Sequence, residues 1–368
     1  FAWNQWPMKP AYALLAGNGT YDYRNLLNKN DNLVPPLMVP TLYGLAASDT
    51  QFGEVQPELP GPEISIGRLP VLTPQQLNAV ISKIIRYESA PLAAGKRALL
   101  VADNPDAAGD FVGDMNNLQA GLAGTFETAT VFPPDLALMR SQIQSNLNRG
   151  SDLLCYLGHG AADRLGSQGY LTTADTAVLA NGARLPFLVA MTCLSGIFAE
   201  PAYNCLAESL LLDATNGAIA VLSPTGLSLN PDATSLNLHL MKVLVEGAPE
   251  QRLGDLVRAA MVRYGREPAR STPAAIYGII GDPALRYRGL PAMPPGIAGI
   301  RRVNDTIELT LSGLPGQSYT LLASSDAALP LASWPVLASG VFLENLLRFT
   351  DILTSSTPRR FYTVVAGR

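Results

Sequence analysis

Two five-residue stretches are apolar or aromatic at every position. Leu153-Leu154-Cys155-Tyr156-Leu157 runs into Gly158-His159-Gly160, and Phe187-Leu188-Val189-Ala190-Met191 runs into Thr192-Cys193. A strand with one face in water alternates apolar and polar residues, so a run that is apolar throughout has to be covered on both faces. Bounded by turn residues, such runs read as strands inside a parallel sheet with helices on either side. Ligands of open α/β sheets sit beyond the carboxyl ends of these strands, which is where His159 and Cys193 stand. An imidazole and a thiol sharing one crevice suffice for nucleophilic acyl transfer, because the thiolate attacks and the imidazole handles the leaving group's proton.

The rest of the chain repeats the alternation. Strands are expected at 12–16, 64–69, 98–102, 128–132, 218–222 and 276–280, and helices at 74–87, 116–122, 134–148, 173–179, 206–212, 232–245 and 253–264. The helix at 74 has Thr73 as its cap and Pro74 at its first position, where a missing N–H costs nothing. This order is the signature of an α/β sheet. Residues 1–90 are expected to form a small N-terminal subdomain and 91–289 the main sheet domain. The proline-rich stretch 290–296 reads as a linker. Beyond it the text changes to alternating runs such as 307–311, 318–322 and 360–365, with Gly-Leu-Pro-Gly at 313–316 as a hairpin turn, so 297–368 reads as a β-sandwich.

Composition narrows the class. With 368 residues, 48% hydrophobic and 15% charged, the chain can bury a large core and is not of disordered composition. A net charge of −4, with no basic cluster longer than Arg301-Arg302 or Arg359-Arg360, gives no footprint for nucleic acid. No stretch approaches the roughly 20 apolar residues of a membrane span. The chain begins at Phe1 rather than Met, so a propeptide, a signal or a larger parent chain is compatible with it.

Among the reactive residues, His159 lies between two glycines, which let the backbone turn sharply and come close to a substrate. His239 falls inside a helical pattern and reads as structural. Buried cysteines are common, and that reading suits Cys155, inside its strand, and Cys205, ahead of a helix. Tetrahedral metal sites draw on close pairs such as Cys-x2-Cys; none is present, so no metal is expected on these side chains.

Several segments together carry a family resemblance: Tyr156-Leu157-Gly158-His159-Gly160, Leu171-Thr172-Thr173, Leu185-Pro186-Phe187 leading to Cys193, Cys205-Leu206-Ala207-Glu208-Ser209-Leu210 and Gly281-Asp282-Pro283-Ala284-Leu285. With Leu14 to Asp22 and Ile66-Gly67-Arg68-Leu69-Pro70 upstream, the chain over roughly 11–289 resembles the gingipain-type, caspase-like cysteine peptidases of bacteria. The resemblance implies a caspase-like, mostly parallel sheet flanked by helices. It implies a cysteine endopeptidase acting on proteins or peptides, with Cys193 as nucleophile, His159 as general acid and base, and the amides of Gly160 and Cys193 as oxyanion hole. Asp103 stands where the family's histidine-orienting acid stands, one carbon shorter than the family's glutamate. Asp114 matches the acid at the base of the pocket in arginine-specific relatives, and with Met191 and Gly158 forms the expected substrate-binding set. The same aspartate and Asp110 are equally placed to cap a helix beginning near Met115. The resemblance also implies a secreted or surface setting. It requires no cofactor for catalysis but leaves room for a structural calcium, with oxygen donors at Asp22 and at Asp106 to Asp114. A sortase-like transpeptidase and a catalytically idle surface protein are the alternative readings.

Overall fold

The computed structural model describes residues 1–29, 32–56, 58–90, 95–182, 184–246, 252–268, 274–288, 295–313, 318–343, 346–353 and 359–366. The chain forms two compact units, Phe1–Leu290 and Pro291–Arg368. Strands of the first unit are β1 (Tyr12–Ala16), β2 (Leu37–Thr41), β3 (Gly44–Ser48), β4 (Ser65–Leu69), β5 (Arg97–Ala102), β6 (Glu127–Val131) and β7 (Leu153–Leu157). After them come the short β8 (Gly160–Ala161), β9 (Arg164–Leu165) and β10 (Leu171–Thr172), then β11 (Phe187–Met191), β12 (Ala220–Pro224) and β13 (Tyr277–Ile280). Its helices are α1 (Ala2–Gln5), α2 (Pro74–Ser89), α3 (Phe111–Leu122), α4 (Leu136–Arg149), α5 (Leu206–Leu212), α6 (Asn230–Glu246) and α7 (Leu253–Gly265).

Eight of these strands form one sheet in the order β1-β4-β13-β12-β11-β7-β5-β6. Neighbours are parallel except β12 and β13, so the sheet consists of two parallel halves running in opposite directions. The expected boundary near residue 90 does not divide it. The late strand β13 inserts between β4 and β12, and the first strands are thereby stitched to the later ones.

Burial follows the two-residue period of the strands. Along β7, Leu153, Cys155 and Leu157 enter one core cluster while Leu154 and Tyr156 enter the other. Strands β5 and β11 alternate in the same way, with Leu100 and Val189 on the first face and Leu99 and Leu188 on the second. The first face is covered by α3, α6 and α7 through residues such as Met115, Leu240 and Leu256, the second by α2, α4 and α5 through Val80, Ile143 and Leu210. Each such side chain contributes about 1.5–3 kcal/mol on burial.

Helix starts are set by side chains that accept the first free amides. Thr73 accepts from Gln76 in α2, Asp110 from Gly113 in α3 and Asp135 from Leu138 in α4. The cap at Asp110 starts α3 five residues ahead of the expected 116, which places Asp114 inside the first turn and not at a cap. The expected helix at 173–179 is a 3-10 turn, Thr173–Val178. The hairpin β2–β3 has no clear mark in the sequence, since Pro40 interrupts its strand pattern. Among the described residues no helix is long and apolar enough to cross a membrane.

The second unit holds β14 (Gly296–Val303), β15 (Thr306–Ser312), β16 (Ser318–Ser324), β17 (Val336–Val341), β18 (Leu346–Ile352) and β19 (Phe361–Ala366). They form two antiparallel sheets, β14-β15-β18 and β17-β16-β19, around a core of Leu309, Leu311, Tyr319, Leu321, Phe342 and Val364. Most of the expected linker, residues 290–294, and most of the expected Gly-Leu-Pro-Gly turn, residues 314–316, lie outside the described residues.

One buried ion pair holds the start of the first unit. Arg68 on β4 is fully buried and pairs with Asp49 through two bonds of 2.5 and 2.7 Å, while its remaining nitrogen donates to the carbonyls of Gly17 and Val34. Phe198 lies under the guanidinium, 4.5 Å from ring centre to Cζ. Removing one partner of a buried pair strands the other charge, at a cost of about 3–5 kcal/mol. Urea unfolding of Asp49→Ala is therefore expected to show a loss of about that size, and a change under about 1 kcal/mol would refute this account of the pair.

Candidate active site

The site begins as a matter of register. In the parallel triplet β5-β7-β11, Ala102 is level with Leu157 and Leu157 with Met191. Continuing each chain past its strand brings Asp103, Gly158 and Thr192 to one edge of the sheet, with His159 and Cys193 next. The amide of Asp103 donates to the Leu157 carbonyl at 3.0 Å and that of Gly158 to the Met191 carbonyl at 3.3 Å, which extends the sheet by one rung.

Two glycines are required by this crowding. Gly158 has φ of +152°, and a Cβ there would fall 2.2 Å from the Cβ of Asp103. At Gly160 a Cβ would fall 2.3 Å from the Thr192 hydroxyl oxygen. Gly160 faces Leu165 across β8–β9, and the bond of 2.8 Å from the Gly166 amide to the His159 carbonyl makes this a non-hydrogen-bonded pair. In such a pair the N–H points away from the partner strand, so the Gly160 amide is not consumed by the ladder.

Cys193 is half-buried. Its thiol lies 3.5 Å from the Ser228 carbonyl, to which it donates, and 3.4 Å from the Ser228 amide, from which it accepts. The Ser228 hydroxyl is in turn 2.7 Å from the Tyr277 hydroxyl. Burial pushes the thiol's pKa above its usual value, and the Ser228 amide pulls the other way with the smaller effect. Past the cysteine the chain turns through Leu194 at φ of +59°, and the Leu194 amide bonds the Gly226 carbonyl at 3.1 Å. That left-handed conformation costs a bulky residue about 1–3 kcal/mol.

The aspartate expected to orient the imidazole does something else. Asp103 is buried, and its carboxylate accepts from the His159 main-chain amide at 3.0 Å, the Tyr170 hydroxyl at 2.6 Å, the Tyr156 hydroxyl at 3.2 Å and its neighbour Asn104's amide at 2.8 Å. The register explains this: Asp103 ends its strand level with the backbone of the Gly158 turn, and its short side chain reaches the amide and not the ring. The carboxylate on the ring is Asp106, whose Oδ2 lies 2.8 Å from His159 Nε2. The Ala108 amide first, and His159 second, hold the Asp106 carboxyl below the usual carboxylate range. Phe111 meets the imidazole edge-on, ring centres 5.4 Å apart. The sequence reading has Asp106 only as a calcium donor; the Asp106-x-x-Gly109 spacing, which forms a tight turn here, is the available signal for a fixed carboxylate.

The remaining expected residues separate. Asp114 is half-buried beside α6, and its Oδ2 accepts from Asn230 at 3.2 Å and from Thr234 at 3.3 Å. Met191 is sealed in the core at 1% exposure, so it presents no surface to a substrate. Its strand position points it at the α3 and α6 face with Leu157. Gly158 is buried too, with its amide already bonded, so its part is to make the turn. Cys155 and Cys205 are fully buried, and burial lifts the Cys155 thiol to about 12. His239 bonds Glu267 at 2.8 Å. Asp22 spends both carboxylate oxygens on the amides of Leu26 and Leu27. Among the described residues no three His, Cys, Asp or Glu side chains gather so as to hold a metal ion.

Three comparisons set this geometry among known proteins. The structure is similar to that of the Arg-specific cysteine proteinase gingipain R (RgpB), with a TM-score of 0.66 at 18% identity over 99% of this chain and 82% of that one. It is similar to the complex of the Porphyromonas gingivalis RgpB pro- and mature domains at 0.66 and 18%, over 99% and 84% of the two chains. A structure described as a protease matches at 0.62 and 12%, over 98% and 83%. At these low identities the structural likeness shows a shared fold. No curated protein matches the sequence. The model of peptidase family C25 matches residues 1–288, so the chain belongs to that family and is a cysteine peptidase.

Proposed function

We propose that the protein is an endopeptidase that cuts protein or peptide substrates with Cys193 and His159, after a basic residue, in a secreted or surface setting. The observation that carries the reading is the β5-β7-β11 register, which delivers an imidazole, a thiol and the Gly160 amide to one sheet edge. In the proposed reaction the thiol proton passes to His159 as the sulfur bonds to the scissile carbonyl carbon and the C=O electron pair moves onto oxygen. The amides of Gly160 and Cys193 receive that oxyanion, each such donor contributing about 3 kcal/mol. Collapse breaks the C–N bond, and the amine leaves with the proton from His159. Water then gives a proton to His159 and attacks the thioester, and the thiolate leaves and is reprotonated. Burial raises the thiol's pKa, which opposes a standing thiolate in the free protein.

Preference for a basic residue rests on charge. The loop from Asp103 into α3 carries Asp106, Asp110 and Asp114, and a partly buried carboxylate at Asp114 suits a guanidinium through a charge-assisted pair. The Asn230 and Thr234 bonds fix its orientation.

Three outcomes are expected. Cys193→Ala should reduce hydrolysis of an arginyl reporter peptide to background with the unfolding midpoint unchanged, and persistent turnover would sink the mechanism. Asp114→Asn should lower kcat/KM for the arginyl reporter by roughly thirtyfold, about 2 kcal/mol, and leave a neutral reporter nearly unaffected. Iodoacetamide on the native protein should alkylate Cys193 alone, since Cys155 and Cys205 are buried, at a rate that climbs steeply as the pH is raised through the alkaline range. Mass-spectrometric detection of label on the buried pair before Cys193 would contradict that order.

A further inference from the structure

We infer that the hydroxyl pair Tyr277–Ser228 positions the nucleophile: Tyr277, on β13, holds the Ser228 main chain where its carbonyl and its amide both meet the Cys193 thiol. The inference rests on the reading of Cys193 as the nucleophile and goes beyond it, since neither side chain needs to touch a substrate to act in this way.

The geometry carries it. Cys193 Sγ meets Ser228 twice, 3.5 Å from its carbonyl and 3.4 Å from its amide. Contacts to sulfur are weak, so they orient the thiol only as well as residue 228 is itself held. The sheet ladder stops short of it. Pairing of β12 with β13 ends where Pro224 is level with Tyr277, and the Thr225 amide adds a last bond, 2.9 Å to the Ile276 carbonyl. Helix α6 begins only at Asn230. Ser228 lies between these two anchors, and its side chain ties it back to the sheet, with Oγ 2.7 Å from the Tyr277 hydroxyl. The Gly226 carbonyl takes the Leu194 amide at 3.1 Å, so the loop after the cysteine leans on the same segment.

Tyr277 is held well enough to do this. It is buried, its carbonyl accepts from the Thr50 hydroxyl at 2.8 Å, and its side chain turns on only two torsions, so core packing determines where the hydroxyl stands. A buried tyrosine hydroxyl needs a polar partner, and Ser228 supplies one. The titratable groups that face it are Cys193 itself, Tyr264 of α7 and Asp232 of α6. Burial raises the Tyr277 hydroxyl above the ordinary tyrosine value, so it stays protonated while the thiol titrates. Of the two Ser228 contacts the amide is the stronger once the sulfur is ionised, and it favours the thiolate against the effect of burial. Releasing Ser228 withdraws that donor and leaves the thiol less acidic.

Three substitutions test the pair. Tyr277→Phe keeps the ring and removes only the hydroxyl, Ser228→Ala removes its partner, and Ser228→Thr keeps a hydroxyl in place. The pH at which iodoacetamide alkylates Cys193 at half its limiting rate, followed by mass spectrometry, should rise by about half a unit in Tyr277→Phe and in Ser228→Ala. In both, kcat/KM for the arginyl reporter should fall about fivefold. The double variant should be no worse than either single one, as befits two groups that act only through each other, and Ser228→Thr should stay close to the unaltered protein. Losses that add in the double variant, a threonine no better than alanine, or an alkylation profile that does not move would overturn the inference. Should Tyr277→Phe fold poorly, the alanine and threonine variants of Ser228 decide the matter alone. Alkylation needs no turnover, so failure of Cys193 as the nucleophile would show separately, as reporter hydrolysis persisting in Cys193→Ala.

Discussion

The parallel pairing of β5, β7 and β11 is the constraint on which the site depends. Reactive groups carried on three separate strands come to one edge of the sheet because Ala102, Leu157 and Met191 are level and each segment leaves the sheet at the same rung. A slip of one residue in β7 would exchange its two faces, sending Leu153, Cys155 and Leu157 to the helices that now cover Leu154 and Tyr156. The buried alternation that stabilises the sheet therefore also fixes where His159 stands relative to Cys193. Core packing and the placement of chemistry are one requirement here.

Past the strand ends, buried polar contacts take over from hydrophobic packing. Asp103 is a carboxylate removed from water, and such a group is tolerated only when its oxygens are occupied. Its donors come from its own loop, from β7 and from Tyr170, so satisfying the charge ties three segments together. The helix α5 adds a second clamp: its first amides, Leu206 and Ala207, donate to the carbonyls of Ala162 and Ser195, one in each reactive loop. The histidine loop and the cysteine loop are thus fastened to a common helix start.

Much of this is legible in the sequence because the signals are local and repeated. Runs apolar at every position announce β7 and β11, and Thr73-Pro74 announces α2. The meeting of β13 with β4 is not legible there, since it is a pairing across more than two hundred residues with no turn chemistry to mark it. The same applies to Asp103 and Asp106. Both are aspartates near a strand end, and their separate tasks follow from a rung of the sheet and a four-residue turn, whose consequences appear only in three dimensions. Met191 shows the converse error, because adjacency to the nucleophile along the chain suggests a place in the site while the strand's period turns it into the core.

The state of the thiol links the architecture to how the site works. Cys193 sits where desolvation opposes a thiolate, with the Ser228 carbonyl available to a neutral S–H and the Ser228 amide available to the charged form. One main-chain segment therefore serves both protonation states, and which one prevails depends on what else enters the crevice. In the proposed reaction a substrate carbonyl develops negative charge next to the Gly160 amide while the thiol gives up the proton it shares with the Ser228 carbonyl and its sulfur bonds the reacting carbon. Under the proposed mechanism the His159 ring must then accept the proton, and the Asp106 carboxylate 2.8 Å from Nε2 faces the charge that forms. Under that mechanism the nucleophile forms as the substrate arrives, and the main-chain contacts of Ser228 are already in place for it.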